Sequence, residues 1–193
     1  EALKRAACPV TADRVSLALK QLIPLDRIDP QAVEGLLDAA FGADRKGRTA
    51  YRMRDGVEAL PGLSFAAIDG EGHLMGSIQC WPVALEEPDG TRHALVLVGP
   101  VAVMPELQGA GIGKAMMQAS IDAADSGLGD ALMMIGDPEY YGRFWGFTAD
   151  GTGEWVIPGP VERRRLLARI KRAGGVPAVG RIIPDPAFVA LAA

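Results

Sequence analysis

A short glycine-rich segment, Gln108-Gly109-Ala110-Gly111-Ile112-Gly113-Lys114, limits the possible folds more than any other part of this sequence. It follows an apolar run at residues 94–103 and precedes a segment in which apolar residues recur with helical spacing. The order predicts a strand, a tight turn and a helix N-terminus in immediate succession. Glycines let the backbone approach a ligand without a Cβ in the way, and unpaired N–H groups at a helix start attract phosphate.

The spacing of this segment excludes two common phosphate-binding loops. A P-loop would need glycine at the position of Gln108 and a serine or threonine at the position of Ala115. A dinucleotide-binding loop would need its third glycine where Lys114 or Met116 stands. The position of the segment after several strands also disfavours a dinucleotide fold, in which the loop follows the first parallel strand.

The pattern that does fit is Gln/Arg-x-x-Gly-x-Gly/Ala, with Gln108, Gly111 and Gly113 at its fixed positions. This pattern resembles the coenzyme A loop of the GNAT superfamily of N-acetyltransferases. Residues 137–147, Asp-Pro-Glu-Tyr-Tyr-Gly-Arg-Phe-Trp-Gly-Phe, resemble the second signature of that superfamily, a tyrosine-bearing short helix that leads into Gly-Phe. Together with residues 97–103, they also resemble a bacterial branch of predicted acetyltransferases, which usually reads Arg-Phe-Gly-Phe without the inserted Trp145.

The resemblance implies an α/β fold with a central mixed, mostly antiparallel sheet flanked by helices. The glycine-rich loop would lie between strand 4 and helix 3. Residue patterns predict a helix from Asp29 to Gly42, an irregular helix over 45–55, and strands over 16–23, 63–68, 74–81, 94–103, 131–135 and 154–157. The expected division is an N-terminal extension at 1–15, an acetyltransferase domain at 16–158, and a helical appendage at 159–193 packed on the same domain.

The resemblance also assigns roles in binding acetyl-CoA. Backbone N–H groups of the glycine-rich loop would hold the diphosphate, with added positive charge from Lys114. A bulge would open the end of the preceding strand, so that its backbone faces the pantetheine arm and the acetyl carbonyl. The implied cofactor-binding residues are Val101, Ala102, Val103, Gln108, Gly109, Ala110, Gly111, Ile112, Gly113 and Lys114.

By the same resemblance, Tyr141 is the expected general acid that protonates the departing thiolate. A phenol is protonated at neutral pH, so the transfer is feasible. Tyr140 is the competing candidate, and a structural role for both tyrosines is the alternative. The sequence does not identify the general base, although Glu71, His73, Gln79 and His93 lie near the middle strands. Gln79 and Trp81 share a strand face and could line the acceptor pocket or pack in the core.

Composition limits the partners. A net charge of −4 argues against nucleic acid, because phosphate binding needs a surplus of lysine and arginine. Cys8, Cys80, His73 and His93 match neither a disulfide framework nor a metal-binding spacing, so we expect no metal. No apolar stretch is long enough for a membrane span and no signal-peptide pattern is visible, so the expected protein is a cytoplasmic enzyme.

The C-terminal segment has a distinct pattern. Six basic residues between 163 and 172 alternate with leucine and isoleucine, which predicts an amphipathic helix with a solvated basic face. Alternatively, this face engages an acidic partner or the 3′-phosphate of the cofactor. The basic residues Arg45, Lys46, Arg48, Arg52 and Arg54 are interpreted in the same way, as a solvated face. The apolar, proline-rich end could pack against another subunit, as in a homodimer.

The expected activity is therefore transfer of an acetyl group from acetyl-CoA to an amine in a ternary complex. The acceptor would be a small-molecule or protein amine. A catalytically weak acyl-CoA-binding regulatory module is the alternative, and an interaction protein that acts through its basic tail is a third interpretation.

Overall fold

The computed structural model describes residues 21–172 and 174–188. Its centre is one eight-stranded sheet. The strands are β1 Gln21–Pro24, β2 Phe65–Ile68, β3 Leu74–Glu86, β4 Arg92–Val103, β5 Ala131–Ile135, β6 Glu154–Val156, β7 Leu166–Ile170 and β8 Val179–Pro184. The α-helices are α1 Pro30–Phe41, α2 Thr49–Arg52, α3 Ile112–Ala123 and α4 Pro138–Trp145. Short 3₁₀ turns and one π turn lie at Leu25–Arg27, Ala43–Gly47, Pro61–Leu63, Pro105–Leu107, Ala124–Leu128 and Arg163–Arg165.

The sheet is mixed and mostly antiparallel. Strands β1 to β4 pair in sequence order, all antiparallel. Strand β5 joins β4 in parallel and pairs with β7 antiparallel, whereas β8 pairs with β3 antiparallel and with β6 in parallel. The glycine-rich loop lies between the fourth strand and the third helix. This confirms the fold class expected from the sequence.

Strands β4 and β5 separate after a short paired stretch. Their register contains only two pairs, Val96 with Leu132 and Leu97 with Met133. Beyond them, β4 is also bulged against β3, because the pairing of Cys80 with Val98 is followed by that of Ile78 with Val101. Gly99 has φ of 117° and Pro100 has no N–H to donate, so both residues suit an interrupted ladder. The expected bulge in β4 is confirmed. Beyond the two paired positions, an opening lies between β4 and β5.

Helices cover both faces of the sheet. Helix α3 buries Ile112, Met116, Met117, Ser120 and Ile121. It packs in one core cluster with Ala67 and Ile78, whereas α1 packs with Ala66 and Ala102 in another. Because neighbouring residues of a strand point to opposite faces, α1 and α3 lie on opposite sides of the sheet. This arrangement fixes the N-terminus of α3 beside the end of β4.

Several predicted boundaries shift. Strand β3 continues beyond its predicted end at Trp81 to Glu86, and the Pro82 carbonyl accepts a hydrogen bond of 3.1 Å from the Asp185 N–H. The extension at 1–15, Cys8 and residues 16–20 of the predicted first strand lie outside the described residues. Within the described ranges, no helix is both long and apolar enough to cross a membrane.

The predicted C-terminal helix is wrong. Within residues 159–172 the structure has a 3₁₀ turn, Arg163–Arg165, followed by β7, which pairs with β5 along its full length. Leu166 and Leu167 are fully buried. The basic residues therefore do not form one helical face. Arg164 pairs with Glu139, and both Arg169 and Lys171 pair with Asp125.

Candidate active site

The glycine-rich loop turns directly into α3. Gly109 and Gly111 have φ of 86° and 83°, a left-handed conformation that side-chain-bearing residues rarely adopt. Gly111 is the N-cap of the helix. The N–H groups of Gln108 and Ala110 donate to the carbonyls of Pro105 and Leu107, in the 3₁₀ turn before the loop. The N–H groups in the first turn of α3 have no carbonyl acceptor within the helix. They are therefore available to a ligand.

The start of α3 lies close against the end of β4. A Cβ at Gly113 would lie 3.7 Å from side-chain carbons of both Val101 and Val103. The side chain of Ala102, on the opposite face, is buried against α1. The structure thus brings the predicted strand residues and the predicted loop together. The Gln108 side chain is exposed, and its backbone N–H donates to Pro105.

Lys114 joins this loop to α4. Its Nζ lies 3.7 Å from the ring centroid of Phe144 and 6.0 Å from that of Tyr140. Both aromatic rings are substantially exposed, which is unusual for side chains of this size. The first turn of α3 therefore places a cation next to two exposed aromatic rings of α4, beside its own open N–H groups.

A cavity of about 1040 Å³ occupies the opening between β4 and β5. This is large enough for a drug-sized ligand. Its walls come from the two separated strands, the segment around α2, the start of α4 and the chain before β7. The lining residues include Leu97, Val98, Gly99, Pro100, Val101, Met134, Ile135, Gly136, Asp137, Tyr140, Tyr141, Arg45, Arg48, Tyr51, Arg54, Glu162 and Arg165.

Tyr141 faces the inner side of α4. Its ring centroid lies 5.9 Å from that of Trp145 and 6.5 Å from that of Phe147. Burial raises the pKa of the Tyr141 hydroxyl, with a further contribution from Tyr140, while the positive charge of Arg165 opposes it. The hydroxyl is therefore protonated at neutral pH, and Tyr141 is one of the residues that line the cavity.

The inserted Trp145 belongs to the buried face of this helix. It is 8% exposed, and its Nε1 donates a 3.1 Å hydrogen bond to Oε1 of Gln118 in α3. Residues four apart share one helix face, so Tyr141 and Trp145 point inward together while Tyr140 and Phe144 point outward. Gly146, with φ of 72°, ends the helix. Both tyrosines line the cavity, and Tyr141 is the one held by packing.

Two arginines near α2 are buried, so the prediction of a solvated basic face is wrong for them. Arg45 is 1% exposed and forms ion pairs of 2.6 Å with Glu34 and 2.7 Å with Asp38. Arg54 is 9% exposed, and its guanidinium carbon lies 4.2 Å from the ring centroid of Tyr51 and 5.1 Å from that of Trp81. Burial lowers the pKa of Arg54, while Tyr51 opposes the shift.

Four further charged residues line the cavity, although none of them was assigned to a site from the sequence. Asp137 caps α4 by accepting a 3.0 Å hydrogen bond from the Glu139 N–H, and hydrogen bonds with Glu139 lower the pKa of its carboxyl. Arg165 donates from Nε to the Gly136 carbonyl. Arg48 and Glu162 complete the set. Only Asp137 had a usable signal, because it follows a predicted strand within the second motif.

The general-base candidates named from the sequence lie elsewhere. His73 is at a hairpin tip with Nδ1 3.0 Å from Asp69, and His93 pairs with Glu87 at 2.6 Å. Neither they, nor Glu71, Gln79 or Trp81, line the cavity. Gln79 and Trp81 are instead packed in the strand, each with a buried polar atom that has no hydrogen-bond partner among the described residues.

The Cys80 thiol is poorly suited to act as a nucleophile. Burial raises the pKa of the Cys80 thiol to about 12, so the reactive thiolate is scarce at neutral pH. Among residues 21–172 and 174–188, no group of three or more histidine, cysteine, aspartate or glutamate side chains is placed to hold a metal ion.

Known proteins share sequence similarity and the overall fold with this chain. The chain is 27% identical to the N-acetyltransferase YhbS of Escherichia coli K12 over 117 residues, 61% of this chain and 67% of YhbS. A crystal structure of Escherichia coli YhbS in complex with CoA superposes with a TM-score of 0.69 at 22% identity, covering 87% of this chain and 91% of that one.

A second solved structure shares the fold. A GNAT family acetyltransferase from Brucella melitensis, in complex with acetyl-CoA, has a TM-score of 0.60 at 23% identity, covering 88% of this chain and 97% of that one. The sequence model of the acetyltransferase (GNAT) family matches residues 31–138, which is more than half of the chain and includes both the glycine-rich loop and the opened strands. On this match and this fold, the chain belongs to the acetyltransferase (GNAT) family.

Proposed function

We propose that this protein transfers an acetyl group from acetyl-CoA to an amine acceptor by direct attack in a ternary complex. The observation that carries the proposal is the opening between β4 and β5. The end of β4 that borders this opening lies beside Gly113 of the glycine-rich loop, and Tyr141 lines the cavity within it. Family membership and the CoA and acetyl-CoA complexes of similar structures support the same donor.

The loop suits the diphosphate of acetyl-CoA. Open N–H groups at the start of α3 and the helix dipole favour a negative group there, and Lys114 adds a positive charge. Gly109 and Gly111 have no atoms within 4 Å of where a Cβ would stand, so the ligand side of the loop is open. The backbone of Val101, Ala102 and Val103 continues from the loop into the opening, where it would accompany the pantetheine arm.

Acetyl-CoA supplies a thioester, and the acceptor nitrogen attacks its carbonyl carbon while the carbon–sulfur bond breaks. Tyr141 donates its hydroxyl proton to the departing thiolate. The raised pKa of Tyr141 keeps that proton in place at neutral pH. Backbone N–H groups near the β4 bulge would stabilise the carbonyl oxygen, an interaction typically worth about 2.7–4 kcal/mol.

The acceptor amine must give up a proton during the reaction, so that the product is a neutral amide. Glu162 is our candidate for receiving it, because it lines the cavity and forms no ion pair among the described residues. Asp137 is less suited, since its carboxylate caps α4 and its pKa is lowered by hydrogen bonding. The buried Cys80 thiol supports direct transfer over an acetyl-cysteine intermediate.

The test is an assay of free thiol released from acetyl-CoA in the presence of a panel of primary amines, with the acetylated product identified by mass. We expect amine-dependent thiol release that falls strongly in Tyr141→Phe. Acetyl-CoA binding without amine-dependent release, across the panel, would instead favour the acyl-CoA-binding regulatory module. Absence of acetyl-CoA binding would remove both functions.

A further inference from the structure

Arg54 is a buried arginine without a counter-ion. Its side chain is 9% exposed, and Arg54 is absent from the ion pairs formed among residues 21–172 and 174–188. Its Nε is buried and has no hydrogen-bond partner among those residues. A buried guanidinium with unused donors is unfavourable, because it has lost water and gained no acceptor in return.

The neighbouring Arg45 is also buried, but its charge is balanced by ion pairs. It is buried more deeply, yet Glu34 and Asp38 each accept from its guanidinium and the Tyr51 hydroxyl is a further partner. The two carboxylates of α1 are thereby used by Arg45, with Lys46 also pairing with Glu34 at 3.3 Å. No carboxylate from this helix is left to pair with Arg54.

Arg54 lines the cavity and is held in place before any ligand arrives. Its guanidinium carbon lies over the ring of Tyr51 at 4.2 Å and over that of Trp81 at 5.1 Å. Such stacking restricts the orientation of a guanidinium while leaving its donors free for a hydrogen-bond acceptor. Arg48 and Arg165 also line the cavity, and their recorded hydrogen bonds go to the carbonyls of Phe41 and Gly136.

We propose that the acetyl acceptor carries an oxyanion, a carboxylate or a phosphate, and that Arg54 binds it inside the cavity. This inference rests on the proposed acetyl transfer and names its substrate class, an amine and an oxyanion in one molecule. A guanidinium fork matches either group with two parallel hydrogen bonds. Binding would supply Arg54 with a counter-ion and direct the amine toward the opening between β4 and β5.

The experiment uses matched acceptors that differ only in this group. The probes are amino acids, their carboxamides and the corresponding aminophosphonates, with glycine, β-alanine, γ-aminobutyrate and the larger L-amino acids to vary the distance between amine and oxyanion. For at least one backbone, wild-type kcat/KM should be ten-fold or more higher with an oxyanion than with the carboxamide. Comparison of the amino acids with the aminophosphonates then shows whether the site prefers a carboxylate or a phosphonate.

The variants are Arg54→Gln and Arg54→Lys, with Arg52→Gln as the matched control. Arg52 lies two residues earlier, is exposed, and donates at 3.3 Å to the Pro158 carbonyl. The preference for the oxyanion should disappear in Arg54→Gln, persist in part in Arg54→Lys and remain unchanged in Arg52→Gln. The affinity for acetyl-CoA should stay within about two-fold in all three.

Two results would overturn the inference while leaving acetyl transfer intact. One is equal activity with the carboxamides, and the other is an oxyanion preference retained in Arg54→Gln. If no amine supports thiol release, the proposed function fails. The oxyanion site is then tested separately, by calorimetric titration of the same acids in the presence of CoA. Binding weakened at least ten-fold by Arg54→Gln supports the oxyanion site, and no binding to wild type overturns it. If Arg54→Gln does not fold, the same comparison is made with Arg54→Lys, where an unchanged preference and affinity would overturn the inference.

Discussion

Gly136 and Tyr141 lie so close that glycine is the residue that fits. A Cβ at Gly136 would come within 2.6 Å and 2.7 Å of two ring carbons of Tyr141. Gly136 follows β5 directly, and its N–H donates to the Arg165 carbonyl at 2.9 Å, so its backbone is held from the other side. The end of β5 thus sets the position of the tyrosine ring in the cavity.

Gly136→Ala should therefore displace Tyr141. We expect kcat to fall at least ten-fold while the affinity for acetyl-CoA changes little, because the loop at α3 is untouched. Steady-state kinetics and titration of the variant check this. Unchanged kcat would show that the ring position is not important for transfer.

Replacing the two tyrosines separately tests which one is the acid. Tyr141→Phe keeps the ring contacts with Trp145 and Phe147 and removes only the hydroxyl, so kcat should fall by about 10²–10⁴. Tyr140→Phe should retain most of the activity. The reverse order, measured by thiol release at saturating substrates, would assign the role to Tyr140.

The loss of kcat at alkaline pH should occur above the usual pKa of tyrosine. In the proposed mechanism Tyr141 acts in its protonated form, and burial raises its pKa above the usual value of about 10. Loss of the proton, and with it of kcat, is therefore shifted to higher pH. The same burial stabilises the fold below that usual value and loses this contribution as the pH rises through the folded-state pKa. A loss of kcat at saturating substrate that begins well below pH 10 and disappears in Tyr141→Phe would contradict this.

Two glycines of the loop should respond differently to alanine. Gly111 has φ of 83°, so Gly111→Ala should cost about 1–2 kcal/mol of stability and weaken acetyl-CoA binding. Gly113 is in the first turn of α3, and a Cβ there would meet only ordinary contacts of 3.7 Å. Gly113→Ala should thus be neutral or stabilising by up to about 1 kcal/mol. Denaturant unfolding of both variants checks the contrast, and equal losses would contradict it.

Leu167 tests whether the C-terminal segment is part of the central sheet. It is fully buried and pairs with Met134 of β5. Leu167→Ala should cost about 2–5 kcal/mol of unfolding free energy, whereas the exposed Arg164→Ala should cost less than about 1 kcal/mol. A loss at Leu167 as small as that at Arg164 would fit an external appendage instead.

Local patterns were sufficient for the loop, α1, α3 and the hairpin strands. Glycine positions, the cap at Asp29 and apolar spacing are properties of neighbouring residues, and they persist in the fold. Segment β7 shows the limit of that reasoning. Its leucines, alanine and arginine have good helix propensity, but pairing with β5 buries three consecutive residues and overrides it.

The cavity charges show a second limit. Whether Arg45 and Arg54 are solvated depends on the carboxylates of α1 and on the ring of Trp81 in β3, which belong to other elements of the fold. Sequence spacing carries no information on such contacts. The loop and Tyr141 were predictable because they belong to local motifs, whereas Arg54 and Glu162 become candidates only once the strands have formed the cavity.

Calorimetric titration of the purified protein with acetyl-CoA tests the central claim most directly, with NADH and ATP titrated in parallel. The account predicts saturable binding of acetyl-CoA in the micromolar range and much weaker binding of the other two nucleotides. Absence of acetyl-CoA binding, or equal binding of all three, would contradict a coenzyme A site at the glycine-rich loop.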